Sequence, residues 1–268
     1  MREVRLSRWE DFENETSYAL ERVKKRRSES GAYVSDLLFR GHENADWKLD
    51  TTLERYAAQN YTMRDYHSIM TNVKPLVESF TERRWDLSNK YDKEEHPYPP
   101  GHPPGYSFMA YLRHHEFPSP LLDWTRSPYV AAFFAFRSTK PLKGANAAIY
   151  SYVEYYGEGK IGYSGKATIV GLGPYVTTHK RHHNQQSEYT VCYKRVDGAW
   201  DYCNHEDALG KSEREQDVIT KYIIPRSERT RVLERLEIMN VSSYSLFGHE
   251  ESLMETLAYR EIESRSDP

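Results

Sequence analysis

Leu121-Leu-Asp-Trp-Thr-Arg-Ser-Pro-Tyr-Val-Ala-Ala-Phe-Phe-Ala-Phe136 changes character halfway along. A strand-like Leu121-Leu122 pair runs into a polar knot. After Ser127-Pro128 the chain is apolar nearly all round, which predicts a buried helix from Tyr129 to Phe136. Ser127 can accept a bond from an orphan amide at the helix start, and Pro128 loses nothing at the first helical position. Polar groups pinned between a strand and a core helix are held rigidly, as a site requires.

Working outward, the upstream chain reads as a helix over residues 9–27 and then a strand from Tyr33 to Phe39 that ends in Arg40-Gly41. A guanidinium at a strand end beside glycine suits bidentate grip on a phosphate. Pairing of Arg40 with a core carboxylate such as Asp123 is the competing reading. Residues 60–88 continue in helical periods through Tyr66, Ile69, Val73, Leu76, Val77, Phe80 and Trp85, and the proline-rich segment 88–107 reads as a long loop. A short helix, Phe108 to His115, precedes the opening stretch. Downstream, Ala147 to Val153 reads as a strand and 154–174 as a loop or hairpin. Tyr189 to Tyr193 is a strand with Glu188 at its mouth, and 196–211 is polar loop. Val218 to Ile224 is a strand stopped by Pro225, and helices follow over 227–239 and 250–261. The expected fold class is α+β, a single domain over residues 1–268 with an N-terminal helical layer.

The chain of 268 residues is 38% hydrophobic and 29% charged, long enough to bury a real core under a polar surface. Its net charge of -3 gives no global basic field, so contact with nucleic acid would need a local patch. No apolar run is long enough to span a bilayer, and Met1 to Glu10 holds no signal-like apolar segment, so the expectation is a cytoplasmic protein with no membrane partner. Cys192 and Cys203 are expected as reduced thiols. His179, His182, His183, Cys192, Cys203 and His205 include zinc-ligand types but lack zinc spacing, so no metal is expected. There is neither a Walker loop nor a Gly-x-Gly-x-x-Gly run to cradle a phosphate at a helix terminus.

Phe39-Arg40-Gly41, the Leu121–Ser127 segment preceded by His114-His115, Gln185-Gln-Ser-Glu-Tyr-Thr190, Ile223-Ile-Pro225 and Leu246-Phe247 together resemble the FRG domain family over nearly the whole chain. The chain departs from that pattern at Ser187, where the family tends to have glycine, and at Glu188, where an apolar residue is more common. A second similarity is to the ADP-ribosyltransferases: an arginine ending a first strand (Arg40), a hydroxyl-bearing strand feeding a helix (Thr125-Arg126-Ser127 in place of Ser-Thr-Ser), and Gln186-Ser187-Glu188 opening a later strand. This resemblance implies a split β-sheet core, NAD as cofactor, and transfer of ADP-ribose to a macromolecular acceptor, protein or RNA/DNA. It further implies Glu188, Gln186 and Ser127 as catalytic residues, with Arg40, Gly41, Thr125, Arg126 and Tyr129 on the cofactor.

Cleavage of the glycosidic bond passes through an oxocarbenium-like ribosyl cation, which a carboxylate such as Glu188 would stabilise. Arg40 would hold the pyrophosphate or its ribose, Ser127 or Thr125 would orient the glutamate, and Gln186 would position the acceptor. Tyr129 or Tyr111 would stack on nicotinamide. Enzymes of this kind are often toxins or phage-defence effectors, which implies an antitoxin or inhibitor partner. The alternatives are a non-catalytic module that binds a nucleotide or nucleic acid through Arg40, Arg126 and the 179–183 run, and a metal-independent RNase toxin with histidines as acid and base.

Overall fold

The structure is a computed structural model that describes residues 1–29, 31, 33–57, 61–87, 101–139, 144–157, 167–174, 176, 180–209 and 216–265. Its spine is β4 (Asn146–Tyr155), whose residues 147–154 are all buried, as both faces of the strand are covered. On one side β4 pairs antiparallel with β8 (Gln216–Pro225), and β8 pairs parallel with β1 (Arg2–Arg5) at the sheet edge. On the other side come β2 (Leu38–His42), β3 (Leu122–Thr125), β6 (Ser187–Val196) and β5 (Thr168–Gly171), all antiparallel. β7 (Ala199–Tyr202) hairpins back onto β6, so the mixed sheet has eight strands among the described residues, in the order β1-β8-β4-β2-β3-β6-β5.

The helices do not form one N-terminal layer. α1 (Trp9–Glu29) buries Trp9, Phe12 and Val23 in a core shared with α5 (Pro128–Phe136) and α7 (Arg229–Ile238), against Phe39, Ile149, Tyr222 and Ile224. α2 (Thr52–Tyr56) and α3 (Met63–Thr81) join α4 (Tyr106–His114) in a second core with Tyr189, Val191, Tyr193 and Tyr202. The opposite face of the sheet closes over Trp124, Tyr150, Tyr152 and Ile223. The expected layer thus divides because its apolar stripes face two different parts of the sheet.

Three local expectations shift. The first-strand pattern at residues 33–39 yields only an isolated bridge from Val34 to Tyr156, and the strand itself starts at Leu38. β7 arises where a polar loop was expected, and β1 where no element was assigned, because their pairing partners lie across a turn or far along the chain. The helix start at Ser127 is as expected: the Ser127 hydroxyl accepts from the Val130 amide at 3.3 Å, with Pro128 at the first position. Among the described residues no helix is long and apolar enough to cross a membrane. The expected loop over 88–107 falls largely on residues outside the described set, as does His179.

Candidate functional site

β2 and β3 share one register pair, Phe39 opposite Thr125. Beyond it the ladder stops, and the Asp123 carbonyl accepts instead from the Arg40 guanidinium at 2.8 Å. A cavity of about 710 Å³ opens at this join, within the range of small-molecule sites.

Arg40, Arg55 and Arg113 converge on its wall with Asp123. The Asp123 carboxylate pairs with Arg113 and lies 3.7 Å from Arg40. Burial lowers the Arg40 guanidinium to about 10; Asp123 opposes the fall, while Arg113 and then Arg55 add to it. Burial likewise lowers Arg55, with Arg113 the next cause. Six basic side chains, Arg40, Lys48, Arg55, Arg113, Arg137 and Arg181, share the cavity lining with four carboxylates, Glu43, Asp50, Glu116 and Asp123. Such an excess of forked donors suits an anionic, phosphate-bearing ligand. His42 completes this wall: its Nε2 accepts from Arg40 Nε at 3.0 Å, and burial, then Arg40, push its pKa well below the usual range. The ring is neutral and fixed as an acceptor.

Gly41 has a packing role. A Cβ there would fall far inside van der Waals contact with the Ala131 carbonyl oxygen and 2.8 Å from the Ala135 amide nitrogen. α5 therefore lies directly on β2, and its alanines at 131, 132 and 135 are fully buried. In Phe39-Arg40-Gly41, alternate residues serve different ends: Phe39 fills the core, Arg40 walls the cavity and Gly41 admits the helix.

The other expected site residues divide. Thr125 lines the cavity, but its hydroxyl donates to the Gln185 carbonyl at 2.6 Å and accepts from the Ser127 amide at 3.1 Å. That hydroxyl ties the end of β3 to the segment before β6. Ser127 is a helix cap. Neither of these bonds reaches Glu188, so the expectation that one of the two hydroxyls orients the glutamate is replaced by a salt bridge from Arg126. Arg126 also lies 3.6 Å from Asp36. Glu188 is buried and its carboxyl is raised by that burial, with Arg126 opposing. Its side chain lies across β6 from the cavity wall, to which β6 contributes Ser187. Gln186 is exposed in a left-handed turn (φ 47°) ahead of β6. Tyr129 packs at the edge of the first core and Tyr111 is buried in the second, so neither lines the cavity.

Sequence reasoning missed Arg55, Arg113 and His42, which reach the wall only through long-range packing. It also missed the far wall. There Arg137 and Arg181 flank Phe247, 5.0 and 5.6 Å from its ring centroid. The signal was present in the basic run and in Leu246-Phe247, but nothing in spacing brings them together. His182 stacks on Tyr189 at 5.8 Å, and the Tyr189 hydroxyl meets His114 Nε2 at 2.8 Å. No group of three metal-ligating side chains occurs among the described residues.

Residues 35–143 match the family model of the FRG domain, and the chain therefore carries an FRG domain over that span. The span contains the Arg40 and Asp123 walls and α5; the motifs at 185–190, 223–225 and 246–247 lie outside it. Searches of curated proteins and of solved structures each found no significant match.

Proposed function

We propose that this FRG-domain protein binds NAD in the arginine-walled cavity and transfers its ADP-ribose to a macromolecular acceptor. The observation that carries the reading is the order of three elements across the sheet: Arg40 on β2, Thr125 on β3 and Glu188 on β6 come from strands lying side by side, with Arg40 and Thr125 on the wall of a cavity of about 710 Å³ and Glu188 one residue past the Ser187 that β6 gives to that wall. The finer reading of the fold, a transferase-like split core, rests on the same order and on the single register pair between β2 and β3. The residues present fit a dinucleotide: Arg40, Arg113 and Arg55 supply donors for a diphosphate, and Trp47, on the same wall, supplies an aromatic face.

In the transfer, the bond between the ribose C1 and the nicotinamide nitrogen breaks, and its electron pair leaves with nicotinamide. An acceptor lone pair then bonds C1, and the acceptor loses a proton. The protein's part is to fix the diphosphate with guanidiniums and to supply a carboxylate for the developing cation. Glu188 is the carboxylate this reading assigns to that role, which requires both that its pair with Arg126 open and that its side chain turn from the other side of β6 toward the cavity. Work in the cytoplasm follows from the use of an intracellular cofactor, and an inhibitor protein would restrain modification of the cell's own macromolecules.

A second reading is a non-catalytic nucleotide-binding module. It is favoured by the pairing of Glu188 with Arg126 and by Ser187 holding the wall position. Incubation with labelled NAD and cell extract separates the two. The transferase reading expects labelled product and released nicotinamide, lost in Arg40→Ala and reduced at least a hundredfold in Glu188→Gln. NAD binding without either product leaves the binding module, and an active Glu188→Gln removes Glu188 from the chemistry.

A further inference from the structure

The far end of the cavity has its own chemistry. Its wall holds Arg137, Arg181, Phe134, Gln185 and Phe247. Phe247 is set at the mouth by an unusual lock between α6 (Lys180–Asn184) and α8 (Ser243–Phe247). Three side chains from the α6 region donate to three consecutive carbonyls at the end of α8: Asn184 to Ser245 at 3.1 Å, Gln185 to Leu246 at 3.4 Å and Arg181 to Phe247 at 3.4 Å. These are carbonyls that a helix terminus leaves unpaired, so the lock satisfies them and fixes two distant segments together. The ring it presents meets Phe134 edge-on at 6.0 Å and carries the two guanidiniums beside it.

Charge at this end is concentrated. α6 reads Lys-Arg-His-His-Asn without an acidic residue, and none of its residues is buried. Glu255 pairs with Arg137 at 2.9 Å, and Glu251 with His249 at 2.9 Å. Lys180 and Arg181 add positive charge at the mouth, with Glu251 close enough to act on Arg181, in a protein whose net charge is -3. A rigid aromatic flanked by planar guanidiniums beside a short cationic helix fits one kind of partner: flat rings to stack and a regularly spaced anionic backbone. Base stacking on aromatic and arginine planes, with cations tracking the phosphates, is how single strands are held without sequence readout.

We propose that the α6–α8 platform, centred on Arg181 and Phe247, binds single-stranded nucleic acid and delivers it to the cavity. The platform stands without the transferase reading; together with that reading, it makes the acceptor a nucleic acid strand.

The test is fluorescence anisotropy of the full chain with short labelled single-stranded RNA and DNA, without NAD, over a salt series. Binding is expected with a negative salt slope, and Arg181→Gln is expected to reduce that slope by about 0.7. Phe247→Leu, which keeps apolar bulk, is expected to weaken binding about tenfold, the loss of one stacked base. Arg231→Gln, an exposed position on α7 paired to Glu10, is the charge-matched control and is expected to leave binding unchanged. Thermal melts establish that each variant is folded. No binding of either strand at low salt, or binding equally sensitive to Arg181→Gln and Arg231→Gln, overturns the proposal. NAD turnover is assayed separately with cell extract: turnover without strand binding breaks this inference alone, and strand binding without turnover breaks only the transferase reading.

Discussion

β4 and β8 face each other from the Asn146–Pro225 pair to the Tyr155–Gln216 pair, whereas β2 and β3 meet only at Phe39 and Thr125. The long join is a continuous ladder, with Ala147, Ile149 and Ile224 packed in one core and Ala148, Tyr150, Tyr152 and Ile223 in another. The short join is polar, and the donor that a ladder would supply there comes from Arg40. The difference teaches where a sheet can hold a site. A ladder interrupted between two well-anchored strands makes a cleft whose walls stay rigid, because β2 is fastened to β4 along its length and β3 to β6.

Perturbations on the packed side of that join should act on folding, and those on the open side on the ligand. The largest effect is expected from Gly41→Ala, which drives a methyl into the α5 backbone. Destabilisation of about 3 kcal/mol is expected in a denaturant series, and an unchanged midpoint would show that α5 does not need to rest on β2. Asp123→Ala leaves Arg40 and Arg113 without their carboxylate inside a half-buried wall. A loss of about 2 kcal/mol is expected, regained in part when phosphate or NAD is added. Absence of such regain would show that the arginines serve structure alone.

His42 gives a pH-dependent test. Its folded pKa lies well below the usual 6.5, so its contribution to stability is complete above the unfolded value and is lost as pH falls below it. Burial lowers His115 and His182 in the same direction. The native protein should lose stability below about pH 6.5, and His42→Gln should flatten that fall by at most about 1.4 kcal/mol per pH unit. Equal slopes in the two proteins would mean that His42 is protonated in the folded state. The smallest effect is expected at the helix start: Ser127→Ala should cost about 1 kcal/mol and leave NAD turnover intact. Loss of turnover would restore Ser127 to the chemistry.

The elements legible in the sequence were those with a local cause. Ser127-Pro128 marked a helix because a cap and a proline act within four residues, and the strand at 147–153 announced itself through β-branched and aromatic side chains. Arg40 was legible as a candidate because a strand end beside glycine is a local pattern. The pairing of Arg40 with Asp123 was open beforehand and is present. Arg113 and Phe247 were not legible as wall residues, since their positions depend on helices packed from far along the chain. Glu188 shows the converse: its place at the start of a strand was readable, but which face it took depended on a register set by β3.

Phe39-Arg40-Gly41 compresses these separate demands into three adjacent codons. In a saturation library scored only for soluble expression, position 41 would retain glycine, while position 40 would admit several polar residues. Scored for ligand capture, the order would reverse in importance, with position 40 collapsing to arginine. One tripeptide thus offers an internal ruler for telling a folding defect from a binding defect in any variant of this chain.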